Sequence, residues 1–209
     1  LGLRETLRSS NGPAVTVIEP GTADTVVTCA EGARLDGFTV RGGLAINSPA
    51  VGCSDASPKI VNNWIFGIGG IGVSLQGSRN GEIAHNRIWG DPSFNNGGCP
   101  CSAVVASGGV RIHHNEIYAA DTNGNAEVIE IADYYEPFQI YSNHLVGTLW
   151  IDDSVSHSGG QNLIANNVLL GGINGASSNT GPILIANNTI IGNVYLQGDT
   201  RARLVNNII

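Results

Sequence analysis

Four acids in this chain stand where paired carboxyl chemistry would need them. Glu130 and Asp152 each sit in an alternating apolar segment, and Asp133 and Asp153 follow at the start of the next loops. Trp150 precedes Asp152 by two residues and Tyr195 precedes Gln197 by two, while Gln76 and Asn174 add two further amides. Paired carboxyls held about 5–9.5 Å apart carry out general acid–base work on glycosidic bonds. Flat aromatic rings stack on pyranose faces, and amides bond sugar hydroxyls. The set reads as carbohydrate chemistry, with Glu130, Asp133, Asp152 and Asp153 as catalytic candidates. Trp150, Tyr195, Gln76, Asn174 and Gln197 are the substrate-binding candidates. That chemistry works only if a fold brings residues from distant segments onto one face.

A repeated frame supplies such a fold. Asn63, Asn86, Asn115, Asn143, Asn167, Asn188 and Asn207 follow one another at spacings of 23, 29, 28, 24, 21 and 19 residues. Three residues before each stands Ile or Leu (Ile60, Ile83, Ile112, Ile140, Ile164, Ile185, Leu204), and two after comes Ile or Leu again. Four after, the first six frames carry a small residue: Gly67, Gly90, Ala119, Gly147, Gly171 or Gly192. A frame that persists while its loops vary in length marks a solenoid, whose units bury their apolar faces only by stacking. The 19-residue unit is too short for two packed helices and long enough for three short strands and three bends.

The clearest coil places strands at 183–186, 189–191 and 194–197, with a bend at Asn187 and Asn188. β-Branched residues in period-2 alternation favour strands over helix. Asparagine tolerates left-handed backbone at such a bend, and its amide can both donate to and accept from the same amide in neighbouring coils. The seven asparagines are therefore read as an internal structural ladder.

The Ile-x-x-Asn-x-Ile-x-Gly frame, with Leu35 to Gly42 as a variant coil, resembles the right-handed parallel β-helix of the pectin lyase-like superfamily over roughly residues 24–209. The resemblance implies an all-β, three-sheet solenoid of about eight coils, with function on the outer face of each coil's third strand. Aligning those strands puts Val73, Leu75, Ala103, Val105, Ile129, Ile131, Leu149, Ile151, Ile173, Val194 and Leu196 inward. Outward come Ser74 and Gln76, Val104 and Ala106, Glu130 and Ala132, Trp150 and Asp152, Asn174, and Tyr195 and Gln197.

Of the polygalacturonase motifs in that superfamily, only Asp152-Asp153 is present, with His157 four residues on. Its pectate lyases hold calcium with an acid cluster, for which Asp133, Asp152 and Asp153 would serve, beside a basic residue that the aligned outward positions lack. No resident cofactor is called for, and calcium is the one ion the resemblance admits. The leading expectation is an extracellular or cell-surface β-helix with a structural, adhesive or carbohydrate-binding role. The alternative is a polysaccharide lyase or glycoside hydrolase.

Composition agrees with one domain over 1–209. Charged residues make up 13%, glycines number 29, and the net charge is −7 with lysine only at Lys59. That balance argues against nucleic acid or an anionic membrane surface as partner, and no apolar run approaches a membrane span. Four cysteines suit secretion: Cys29 and Cys53 close successive coils and invite a disulfide, leaving Cys99 with Cys101. His85 and His114 precede ladder asparagines in neighbouring coils and should stack, while His113 should point the other way, so no metal site is expected. Leu3 and Leu7 among Arg4, Glu5 and Arg8 predict a short amphipathic helix capping the first coil within 1–12. The missing initiator methionine and absent signal peptide read as a mature or excised product. The apolar ending Asn206-Asn207-Ile208-Ile209 predicts a covered end, with stacking of copies end to end as one way to cover it.

Overall fold

The computed structural model describes residues 1–19, 24–43, 45, 48–90, 102–119, 126–132, 136–153, 160–177, 182–197 and 201–209, the side chains of 153, 176 and 177 excepted. Asp133, Cys99, Cys101 and His157 lie outside the described residues, and of Asp153 only the backbone is described. The chain is an all-β parallel solenoid of about six turns, with strands continuing the stacks at both ends.

Every pairing among the described strands is parallel and links positions one repeat apart. Lys59–Val61 pairs with Glu82, Ile83 and Ala84, which pair in turn with Arg111, Ile112 and His113. Trp64–Gly67 lies between Thr39–Gly42 and Arg87–Gly90. The frame's apolar positions become the core: Ile60, Ile83, Ile112, Ile140, Ile164 and Ile185 on one side, Ile65, Ile88, Ile117, Leu145, Leu169 and Ile190 on the next, all buried. Only stacking covers both, because each coil contributes one residue per column.

Hydrogen bonding divides the described strands into two sheets, one of 15 strands and one of eight, rather than the expected three. The third and first faces are joined because Val73–Ala84 and Val104–His113 run through the corner between them. Register irregularities on either side of Gly108 let the paired strands turn there without breaking.

The ladder forms as the sequence implies. Each Nδ2 donates to the next asparagine's Oδ1: Asn63 to Asn86 at 3.1 Å, Asn86 to Asn115 at 3.1 Å, Asn115 to Asn143 at 3.0 Å, and so on to Asn207. The same Oδ1 also takes the neighbour's backbone N–H, as Asn143 does from Asn115 at 3.0 Å. The left-handed residue is not the ladder asparagine, however, but the one before it. Asn62, His85, His114, Ser142, Asn166, Asn187 and Asn206 all have φ between 52° and 58° in this fold. The turn at the preceding residue aims the ladder amide inward. At the next corner Gly192 sits so close to the coil before it that a Cβ would overlap the Gly171 carbonyl oxygen, which explains the small residue in the frame.

Three expectations are corrected here. No helix occurs among the described residues, and the N-terminal segment instead forms a strand, Thr6–Arg8, paired with Arg34–Asp36. A helix of about ten residues is marginal on its own, whereas a strand here extends an existing ladder. Arg8 also gains Asp36, already held by Arg34 at 2.9 Å. Leu3 remains 74% exposed. Second, Cys29 and Cys53 are buried free thiols rather than the expected bridge. They follow the register pair Thr28 and Gly52 on two stacked rungs. Third, Val104 and Ala106 point inward and Val105 outward, one residue out of step with the alignment above. In Ala103-Val104-Val105-Ala106 every residue is apolar, so alternation gives no parity, and a one-residue slip flips the face. At the last rung Leu204, Ile208 and Ile209 are exposed.

Candidate functional site

The outer face of the third strands carries the sugar-like residues as two adjacent columns. Register pairs Glu130 with Trp150, Trp150 with Asn174 and Asn174 with Tyr195. One step along the strand, Ala132 pairs with Asp152, Asp152 with Ala176 and Ala176 with Gln197. The core enforces this orientation. Ile129, Ile131, Leu149, Ile151 and Ile173 are fully buried, so the residues between them face out. Tyr195 is 57% exposed and receives a 2.7 Å hydrogen bond on its hydroxyl from Gln197 Nε2. The same columns continue toward the N-terminus as Thr28, Gly52 and Ser74, and as Ser54 and Gln76. There they line a groove of about 440 Å³. Glu130, Trp150, Asp152, Tyr195, Gln197, Asn174 and Gln76 thus share one face, and none of the described outward positions carries lysine or arginine.

One acid of this face was not singled out from the sequence. Glu127 is 7% exposed, yet its carboxylate lies on the outer side with Glu130. Simple alternation would turn Glu127 and Glu130 to opposite faces, since they lie an odd three positions apart. A register shift between Glu127 and Ile129 adds one residue and returns both acids to the same side. A bulge is a property of pairing and leaves no mark in local sequence. The one available signal was Glu127 beside an apolar strand, which is too common to single out.

Ser102 ties the two acids together. Its buried hydroxyl lies 2.9 Å from Glu127 Oε2 and 3.1 Å from Glu130 Oε2. A hydroxyl has one proton, so Ser102 can donate to only one carboxylate at a time. Both contacts are satisfied when the other acid is protonated and donates to the Ser102 oxygen. Burial pushes the Glu127 carboxyl up to about 7; the charges of Glu130 and Asp152 add to the rise, and the Ser102 hydrogen bond opposes it. Burial also raises Glu130, again with a contribution from Asp152. The arrangement is an acid–carboxylate pair with a third carboxylate nearby.

Two other features fall outside this strip. On the eight-stranded sheet Phe66, Trp89 and Tyr118 stack at centroid distances of 4.5 and 5.8 Å, three residues after successive ladder asparagines. Reading that frame position as a column would have found them. At the asparagine corner His85 and His114 stack at 5.0 Å, as expected. His113, however, does not point away: its Nδ1 lies 3.0 Å from His114 Nδ1. Alternation holds within a strand, and the chain leaves the strand at His114, whose φ of 55° turns the next side chain back beside His113.

Fold and site define a parallel β-solenoid with an acidic, aromatic outer strip. No protein-family model matches the chain, and no curated protein matches its sequence.

Proposed function

We propose that this chain is a secreted or cell-surface solenoid of the right-handed, pectin lyase-like kind, with about eight coils, that binds a polysaccharide along its third-strand face. The observation that carries this reading is the register column Glu130–Trp150–Asn174–Tyr195, bordered by Asp152 and Gln197. Rings and amides repeated about every 4.8 Å along an axis suit a polymer better than a small solute. The strip's acids, with no basic residue among its described positions, favour neutral sugars over polyuronates unless a cation such as calcium intervenes. The test is a glycan array read with wild type and Trp150→Ala. Binding that wild type shows and the variant loses supports the reading, while equal signals from both count against it.

A second reading, hydrolysis of the bound polysaccharide, is favoured by the Ser102-linked pair. Glu127, holding a proton near neutral pH, would protonate the leaving oxygen, and Glu130 or Asp152 would act as the second carboxylate. A product assay on the array's hits, run with Glu127→Gln and Glu130→Gln, separates binding from turnover. Retained binding without products in wild type leaves the strip as a binding surface.

A further inference from the structure

The histidine corner carries an inference independent of the strip. His85, His113 and His114 can each offer a ring nitrogen such that the three atoms lie within 4.8 Å of one another. Two of them are already set: His113 Nδ1 and His114 Nδ1 are 3.0 Å apart. In a tetrahedral site with metal–nitrogen bonds near 2.0–2.1 Å, neighbouring ligand nitrogens sit roughly 3.3 Å apart. The third ring, His85, stacks on His114 one rung away and is exposed, so a side-chain rotation can close the remaining gap.

The surroundings select the tautomer such a site requires. His113 Nε2 lies 3.2 Å from Glu82 Oε1, and Glu82 is anchored by Lys59 at 3.4 Å. A carboxylate accepts, so Nε2 carries the proton and Nδ1 presents its lone pair toward His114. This is the carboxylate–histidine relay that orients metal-bound imidazoles. His113 is also clamped from below by Tyr141, stacked at 4.7 Å, and its side chain is only 12% exposed. Without an ion, the facing Nδ1 atoms are compatible only if one of them carries the proton between them, which for a neutral His113 bonded to Glu82 is His114. An ion between them satisfies both lone pairs.

We propose that His85, His113 and His114 bind one divalent transition-metal ion of the zinc class, with Glu82 as positioning residue and the fourth coordination position left to solvent or a ligand. Imidazole donors suit zinc, copper and nickel rather than calcium or magnesium. Three protein ligands with one open position are the arrangement of reactive rather than closed structural zinc sites.

The experiment uses the untagged chain stripped with chelator. Zn(II) is titrated by calorimetry and Co(II) by absorption, with circular dichroism melting as a folding control. The expected result is one ion per chain and a Co(II) spectrum without sulfur charge-transfer bands. Affinity should fall at least tenfold in His85→Ala and in His114→Ala, and about 10–100-fold in Glu82→Gln, with each variant still melting cooperatively. Zinc should raise the melting temperature of wild type and leave His114→Ala unchanged. Absence of saturable binding overturns the proposal. So does binding that survives both histidine variants, or a thiolate spectrum placing the ion at cysteine.

Discussion

Glu130 stands directly opposite Trp150 in the register that joins two neighbouring rungs, so a carboxylate and an indole share one outward column. Removing the ring tests the column without disturbing the core, because Leu149 and Ile151 on either side are the buried residues. Trp150→Ala should reduce polysaccharide affinity by at least tenfold, about 1.4 kcal/mol, while shifting the melting temperature little. An array and a thermal melt on the same preparations check both halves.

Glu127 makes stability depend on pH with a defined sign. Its carboxyl titrates near 7 in the fold against an ordinary 4.5. Between those values the native state keeps a proton that the unfolded chain releases. Stability should therefore fall as pH rises from about 4.5 to about 7, by at most roughly 3 kcal/mol from this group. Glu127→Gln should flatten that slope. Urea denaturation at several pH values measures it, and an unchanged slope would remove Glu127 as its source.

Asp36 works in the opposite direction. It is 4% exposed, and its carboxyl is held below the ordinary range by the amide of Asn62 and by Arg34, with Arg8 adding its charge, against the opposing effect of burial. Its contribution is present above the unfolded pKa and is lost as pH falls through the lowered folded value. Asp36→Asn should cost about 1–3 kcal/mol at neutral pH and reduce the acid sensitivity of the N-terminal rungs. Hydrogen exchange resolved by segment distinguishes this from a global effect.

Asn143 lies in the middle of the ladder. Its Nδ2 reaches Asn167 Oδ1 at 3.0 Å and the Ile112 carbonyl at 2.9 Å, and its Oδ1 accepts from Asn115. Asn143→Leu leaves partners on both sides unsatisfied and should cost about 1–3 kcal/mol. The exposed Asn187→Ser should cost clearly less, since serine already fills the equivalent left-handed position at Ser142. Equal losses in the two variants would show that the ladder adds nothing beyond its turn.

The repeat was legible because a solenoid writes its geometry locally. Each coil needs the same inward Ile or Leu, the same ladder amide and the same small corner residue, so the period is carried by residue type alone. The strip was legible for the same reason: Ile129, Ile131, Leu149 and Ile151 declare their side, and alternation places Glu130, Trp150 and Asp152 on the other. Where every residue is apolar, as in Ala103 to Ala106, that logic has no purchase, and pairing with Val73 to Leu75 set the parity. Glu127 joined Glu130 because the register shifts across the rung, and His113 joined His114 because the chain leaves its strand between them. The N-terminal segment became a strand because the edge at Arg34–Asp36 offered it partners. Each of these outcomes depends on a neighbour one coil away, on hydrogen bonds made between rungs some 20 to 30 residues apart. Periodicity within a segment specifies which residues can face the core. It carries no record of a bulge, a corner or an open edge, because those arise only when one coil is laid against the next.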